Sequence, residues 1–481
     1  MPIRTAKEYR QSIQKMKRKA YLGGKRIENL LENPTIRTIV EANVRVYELT
    51  ELPEYQDVMT ATSQLTGERV SRALHIFQNT KDLLERAHMA LLTSQKLGTC
   101  NYRCPGCDML NALASVTWEM DRDKGTEYHQ RLCNYLKFVQ ANDLVVSGAT
   151  TDTKGDRSKR PLEQDPDAYV HVVEKTPEGI VVSGAKEHQS GAIIADETVV
   201  LPGLACRKSE EDYAVAFAIT GGTEGVSYIS QYTPFTAERD IEENIWYLGN
   251  PIYGQRETCL IIFNKVFVPW ERVFMCGEIE YTQRCIARFA KTHRMSCGGA
   301  CKVGFADLII GATQLLAEYT GLQRAPHIVE EITNMVKVRE TSYACALAAA
   351  YEGKEEPPGS GVWLPDDVYG NVAKLNTGYG FWDIMAWAGD IAGGLPVTMP
   401  HEKDLENPET KGDIEKYLKS AVPASKRLRI AKFLQHWVAG LHGVASWHGA
   451  GSAQAQMITL HRLTNFEEKK KLAKELAGIK D

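Results

Sequence analysis

Two distant stretches of this chain carry the side chains that bind metals. The first is Cys100-Asn-Tyr-Arg-Cys104-Pro-Gly-Cys107, and the second is His293-Arg-Met-Ser-Cys297-Gly-Gly-Ala-Cys301. Thiolates hold iron–sulfur clusters, and an imidazole in place of one of them changes the potential and the open chemistry of an iron. The spacing leaves other chemistries open. Cys100-x3-Cys104-x2-Cys107 is also the pattern of radical S-adenosylmethionine enzymes, although here it follows a helical pattern and no regular β–α alternation comes after it. Three cysteines and a histidine also close a tetrahedral zinc shell. Buried free cysteines are common in cores, but a cluster beside Pro105 and Gly106, with Arg103 inside it, is unusual for that role. His293 by itself reads as a surface or cap histidine. Cys297 follows it by one helical turn, on the same face, and the Gly298-Gly299 pair is expected to open the helix near Cys301.

The elements that must bring these stretches together differ along the chain. Residues 1–142 read as a helical domain, with apolar residues at three- and four-residue spacing in Lys81–Leu92. Residues 143–275 read as an antiparallel β domain. Tyr169–Lys175 and Ile180–Lys186 flank Thr-Pro-Glu-Gly, a hairpin signature, and further strand-like runs are Glu197–Leu201, Tyr213–Ile219 and Leu260–Val268. Residues 276–481 read as a helical bundle. Ile328, Ile332, Met335, Val336 and Tyr343 form one stripe, and later helices span Leu428–Leu441 and Ala453–Leu476. Lys354–Pro365 and Glu402–Ser425 are rich in Pro, Gly and charge and read as surface loops. Helix, sheet, helix is an α+β order that resembles the acyl-CoA dehydrogenase fold, and Phe263–Phe274 resembles the end of the β domain there.

Composition narrows the class. The 481 residues are too many for one core. The formal charge of −4 and the lack of a basic block argue against a nucleic-acid partner. No stretch of eighteen apolar residues lacks charge, so no membrane span is expected. Met1–Lys19 has no apolar signal core. Eleven cysteines, an odd number with several at metal spacing, point to reduced thiols and a cytoplasmic protein.

Beyond these patterns the chain resembles, nearly end to end, the 4-hydroxybutyryl-CoA dehydratase family, within the wider group of 4-hydroxyphenylacetate 3-monooxygenase large components. The similar stretches include Lys25–Asn29, Asn142–Ala149, Asp152–Arg157, Gly184–Gly191, Arg288–Arg294, Cys301–Gly304, Asp390–Leu395, Val397–Pro400, His448–Gln456 and Leu472–Lys480. The resemblance implies a [4Fe–4S] cluster held by Cys100, Cys104, His293 and Cys301, FAD in the cleft between sheet and helices, and a homotetramer. It places Lys154, Asp156, Arg157, Gln189, Ser190, Asp390, Gly393 and Gly394 around the flavin. It implies catalytic roles for His293, for Lys302 as a positive charge, and for Ser190 as a hydrogen-bond partner of the flavin. Their bland readings are a surface ion pair for Lys302, a turn cap for Ser190, a turn and a structural salt bridge for Asp156 and Arg157, and a helix end for 390–394.

Several positions depart from the family pattern. The His293–Cys301 gap is one residue longer. Cys297 replaces a tyrosine near the substrate, and Ala445 replaces a glutamate just before His448-Gly-Ala-Gly. Ser190 replaces a threonine, which keeps the hydroxyl, and Cys107 is an extra thiol.

The implied chemistry suits the implied cofactors. Loss of water from a 4-hydroxyacyl thioester requires removal of a β proton that is not acidic. A flavin that takes one electron from the enolate makes that proton far more acidic, and an iron with a labile ligand polarises the leaving hydroxyl. The expected activity is dehydration of 4-hydroxybutyryl-CoA to crotonyl-CoA, with vinylacetyl-CoA Δ-isomerase activity. Rival expectations are another hydroxyacyl- or enoyl-CoA substrate, a two-component flavin monooxygenase of aromatic substrates, and a metal-stabilised assembly protein with no flavin.

Overall fold

Helical periodicity in the N-terminal third produces α1 (Ala6–Lys15), α2 (Pro34–Glu51), α3 (Thr80–Leu97), α4 (Cys104–Lys124) and α5 (Tyr128–Ala141) in the computed structural model, which describes residues 3–231, 246, 249–254 and 256–479. The first turns are closed by side chains that accept from free N–H groups. Thr5 and Glu8 form a capping box on α1, and Asn33 and Asn79 cap α2 and α3. α3 stops at Gly98, whose φ of 62° is left-handed. α4 restarts at Cys104 with Pro105 in its first turn. Cys100 therefore lies in the link between two helices, and Cys104 at the start of the second.

This third is not purely helical. β1 (Lys19–Leu22) and β2 (Lys25–Ile27) form a hairpin, as do β3 (Thr60–Thr62) and β4 (Arg69–Ser71). The central region supplies β5 (Val146–Ala149), β6 (His171–Lys175), β7 (Gly179–Gln189), β8 (Glu197–Val200), β9 (Val215–Thr220), β10 (Val226–Ser230), β11 (Cys259–Pro269) and β12 (Val273–Cys276). The expected β6–β7 hairpin forms, with His171 opposite Ser183 and Lys175 opposite Ile180. One sheet has the order β2-β1-β10-β11-β7-β6 and the other β12-β9-β8-β5. The expected all-antiparallel sheet is corrected at two places: β1 runs parallel to β10, and β5 parallel to β8. A parallel neighbour comes from a distant part of the chain, which alternation within one strand does not reveal. Phe217 and Phe263 meet edge to face between the sheets, 5.8 Å apart, in one apolar cluster with Leu110, Leu113 and Leu136 of α4 and α5.

In the C-terminal part, α6 (Ile279–His293) and α7 (Lys302–Thr320) are joined by Arg294–Cys301, wound as a π-helix. The continuous run Ile279–Thr320 is long and apolar enough to cross a membrane, but its most apolar window is 67% buried in the protein, as a central bundle helix requires. α8 (Pro326–Tyr351), α9 (Asp367–Ile391) and α10 (Ala424–Val438) pack around it. Phe305, Ile309, Met335, Ile384, Leu434 and Trp437 form their shared core. α11 (Leu441–His448), α12 (Ala453–Leu463) and α13 (Phe466–Leu476) complete the chain.

Three helical expectations change here. The α8 stripe is narrower, because Val336 is 40% exposed beside buried Met335. The long helix over 453–476 is two, because Asn465 accepts from Glu468 N–H and starts a new one. The segments read as loops hold a helix at Pro408–Tyr417 and a short ladder of Lys354–Glu355 against Trp363–Leu364.

Candidate active site

An α-helix drifts about 40° for every four residues, so residues spaced four and then four apart would fan out. The wider turn of 294–301 takes up that drift. As a result Cys297 shares hydrogen bonds with both His293 and Cys301. Widened turns of this kind recur at functional sites. The glycine pair does not open the helix, as expected from sequence, but lets it be approached. A Cβ on Gly298 would lie 3.0 Å from the Lys374 side chain, and one on Gly299 2.9 Å from the Ala346 Cβ. Thr377 Oγ1 donates to the Gly298 carbonyl at 2.7 Å.

The two distant stretches meet. The Cys297 sulfur faces Cys100 and Cys104, and Cys301 faces Cys104. Burial pushes Cys100 up, and Cys104 up to about 12. Cys297 moves the opposite way. The hydrogen bond from Cys301 holds it well below the usual thiol range despite burial, helped by Lys302, whose Nζ is 3.8 Å from the sulfur. Cys107 is turned aside: its Sγ donates to the Arg72 carbonyl at 3.8 Å. The radical-enzyme pattern therefore loses its third thiol.

A carboxylate that sequence reasoning passed over organises this chamber. Asp108 is completely buried. Its Oδ1 accepts from Arg86 Nε and Nη2 at 3.2 and 3.0 Å. Its Oδ2 accepts from His293 Nδ1 at 2.7 Å and Ser296 Oγ at 2.9 Å. The contact assigns the Nδ1 proton and leaves Nε2 for a metal or a proton, the arrangement that fixes metal-binding imidazoles. Burial lowers the His293 pKa, but the Cys297 sulfur and Asp108 outweigh it and raise it to about 9. A charged residue inside the apolar run of α4 was the available signal for Asp108.

Cations surround the sulfurs. Lys302 is 1% exposed, which rules out a surface ion pair. Arg256 faces Cys100, Cys297 and Cys301 and donates to Ser190 Oγ from Nε and Nη2 at 3.3 and 3.2 Å. Lys374 donates to the Ser446 and Trp447 carbonyls at 3.0 and 2.8 Å; burial and then Lys302 push its pKa down to about 7.

Among the described residues, no three His, Cys, Asp or Glu side chains close on a single ion. A polynuclear cluster asks something else of its donors, since they reach different corners from around a larger body. Buried thiols on two elements, an imidazole with an assigned tautomer and a surplus of nearby positive charge suit such an anionic group.

A cavity of about 1000 Å³ adjoins this chamber, lined by Thr150, Lys154, Arg157, Gln189, Ser190, Thr258, Phe289, Ala445, His448 and Gly449 among others. His293 and Arg256 also line it, so they stand between the open space and the sulfurs. The sheet side brings Lys154, Arg157, Gln189 and Ser190 together. Lys154 has a left-handed φ of 66°, and Gln189 Nε2 donates to the Thr151 carbonyl at 3.3 Å. Asp156 does not join them. Its Oδ1 accepts from Ser158 N and Oγ at 3.0 and 2.7 Å in an exposed turn. Asp390, Gly393 and Gly394 are also not among the described residues lining the cavity. They lie at the far end of α9, about 24 Å along the helix from Lys374, and Asp390 pairs with Glu331. Glu257 was missed as well: burial raises its pKa to about 8, and its Oε1 accepts from Ser230 Oγ at 3.2 Å.

Family models described as 4-hydroxyphenylacetate 3-hydroxylase N terminal and C terminal match residues 5–275 and 282–478. The chain belongs to the 4-hydroxyphenylacetate 3-hydroxylase family. Within that family it is 39% identical to the 4-hydroxybutyryl-CoA dehydratase/vinylacetyl-CoA-Delta-isomerase of Clostridium aminobutyricum, over 99% of this chain and 100% of that one. An oxygen-tolerant archaeal 4-hydroxybutyryl-CoA dehydratase from N. maritimus superposes with a TM-score of 0.95 at 38% identity, covering 100% of this chain and 96% of the other. The oxygenase component of 4-hydroxyphenylacetate 3-monooxygenase, solved with FAD, gives a TM-score of 0.83 at 25% identity over 98% of both chains. Glutaryl-coenzyme A dehydrogenase, at 14% identity, 0.51, and 92% and 95% coverage, shares the fold alone. The protein is thus an enzyme of a flavoprotein family with an acyl-CoA dehydrogenase-like fold.

Proposed function

We propose that the chain is a flavin- and iron–sulfur-dependent dehydratase that converts 4-hydroxybutyryl-CoA to crotonyl-CoA and has vinylacetyl-CoA Δ-isomerase activity. The observation that carries this reading is the position of His293, which lines the cavity on one side and touches the sulfur chamber on the other. The dehydratase relatives supply the substrate class. Cys100, Cys104, His293 and Cys301 would hold a [4Fe–4S] cluster, and Lys154, Arg157, Gln189 and Ser190 would line the FAD site. When bound, FAD supplies one-electron chemistry that acidifies the β C–H, and the cluster supplies a Lewis-acidic iron for the leaving hydroxyl.

The residues of the chain do the positioning and the proton work. Asp108 keeps the His293 Nδ1 proton in place, so Nε2 is the atom that binds or accepts a proton. Lys302 and Arg256 provide positive charge next to the sulfurs. Ser190, oriented by Arg256, presents its hydroxyl to the cavity. The proposed assembly is a cytoplasmic homotetramer, in which Asp390, Gly393 and Gly394 would serve a flavin only across a subunit contact.

A second reading is a related hydroxyacyl- or enoyl-CoA as substrate. Ala445 lines the cavity and gives it an apolar wall with no acid at that point. An anaerobic assay with a panel of acyl-CoA thioesters, alongside iron, sulfide and flavin analysis, decides between them. Turnover of 4-hydroxybutyryl-CoA by a brown protein is the expected result. A yellow protein without iron that hydroxylates phenols with a reductase would replace this reading with a monooxygenase. Cys104→Ser is expected to abolish iron incorporation and dehydration while the elution volume on size exclusion stays unchanged. Full activity in that variant would remove the assigned ligands.

A further inference from the structure

The sheet wall of the cavity rests on a buried ion pair. Lys186 is in step with Ile180 and Val182 of β7, whose side chains belong to the apolar core. The two-residue period of a strand thus puts a charge where an apolar residue is expected. Lys186 is 1% exposed, and so is Asp152, whose Oδ1 lies 2.6 Å from the Lys186 Nζ. The same Nζ donates to the Thr150 carbonyl at 3.0 Å and the Leu201 carbonyl at 2.9 Å. Asp152 Oδ1 also accepts from Val170 N–H at 3.1 Å. Four segments therefore meet at this pair: the ends of β5 and β8 from one sheet, and β7 and the approach to β6 from the other.

Three of those segments line the cavity, through Thr150 and Lys154, through Gly203, and through Gln189. A Cβ on Gly203 would collide with Asp152 Oδ2, so this part of the cavity lies directly on the carboxylate. That oxygen has no hydrogen-bond partner among the described residues, and the charge is answered at Oδ1 by Lys186. Packing alone does not call for such a pair. Apolar side chains of similar volume fill a core space as well or better, because burying two charges costs desolvation. What the charges add is direction: Nζ draws two strand ends of one sheet onto a strand of the other at set distances.

We infer that Lys186 and Asp152 are positioning residues, which set the gap between the sheet ends that grip the flavin. This rests on the flavin reading proposed above. The pair touches no ligand itself. It holds Thr150–Lys154 and Gly203 in place to act on the same ligand as Gln189 and Ser190.

The test measures binding of FAD to flavin-stripped, anaerobically purified full-length protein. The chains compared are wild type, Lys186→Met, Asp152→Asn, the double variant and Lys186→Arg. Equilibrium dialysis gives the dissociation constant, and the visible absorption bands of bound FAD report its surroundings. The double variant is expected to melt above either single variant, because no unpaired buried charge is left. It is still expected to bind FAD about tenfold more weakly, with shifted bands and unchanged iron content. Lys186→Arg keeps the charge on a longer arm, so it preserves the fold while moving the strand ends, and several-fold weaker binding with shifted bands is expected. A merely structural pair would lower the melting temperature and leave the affinity and bands of the folded chain alone. Wild-type affinity and bands in the folded variants, or iron and flavin falling together, would overturn the inference only. A wild type that takes up no FAD would overturn the proposed function and this inference with it.

Discussion

The two walls of the cavity are built by opposite means. On the helical wall, Cys104, Asp108, Cys297, Cys301 and Lys302 are nearly excluded from water, and one carboxylate ties two helices together. On the sheet wall, Gln189 and Ser190 are buried at a strand end, but Arg157 is exposed and Lys154 half-buried on a turn, and these two form the rim. The difference teaches which partner each wall can hold. A buried set of thiols and charges is stable only when every member is matched, so it suits a permanent group. An exposed polar rim suits a charged, exchangeable nucleotide, whose binding falls as salt rises.

The largest break in this comparison is expected from Asp108→Ala. It leaves Arg86 as an unpaired buried cation, which costs about 3–5 kcal/mol. Denaturant unfolding should show that loss, with iron content falling in step. If stability is unchanged, the helical wall is not held together by Asp108.

A smaller effect sharpens the comparison by pH. Burial keeps Glu257 protonated up to about 8, whereas an unfolded glutamate releases its proton near about 4.3. Between these values the unfolded chain binds fewer protons, so the stability contributed at Glu257 is present at low pH and is lost as pH rises to about 8. Glu257→Gln removes this dependence. Its melting temperature relative to wild type should climb from pH 5 to pH 8 and then level off, and a flat difference would contradict the burial effect.

Ser190→Ala removes the hydroxyl that Arg256 orients. Loss of one hydrogen bond of about 1 kcal/mol should weaken flavin retention several-fold, measured by equilibrium dialysis, with iron content unchanged. The smallest effect belongs to Arg157→Ala on the exposed rim. Its stability should stay within about 0.5 kcal/mol of wild type, while flavin affinity becomes less sensitive to salt. An Arg157→Ala variant that unfolds readily would erase the distinction between the walls.

Much of the site could be read from local spacing. Cys100–Cys104 and His293–Cys297–Cys301 stand out as clustered thiols and imidazole because their spacing is set by one loop or one helix turn. The β6–β7 hairpin was readable for the same local reason. Asp108, Arg86, Arg256 and Lys374 were not. Asp108 was marked only by the apolar run around it, and nothing in the neighbours of the other three distinguishes a buried charge from a solvated one until the facing element is known. The split of 453–476 into α12 and α13 turned on a single cap, which periodicity does not register.

The order of helix, sheet and helix, the thiol spacing and the hairpin were properties of the chain itself, since each depends on contacts a few residues apart. Tertiary structure decided that the two cysteine stretches face each other, that β1 joins β10, that Cys107 turns away and that Asp108 holds His293. Those contacts join residues with unrelated local patterns, so only packing, with its demand that buried charges find partners, could select them.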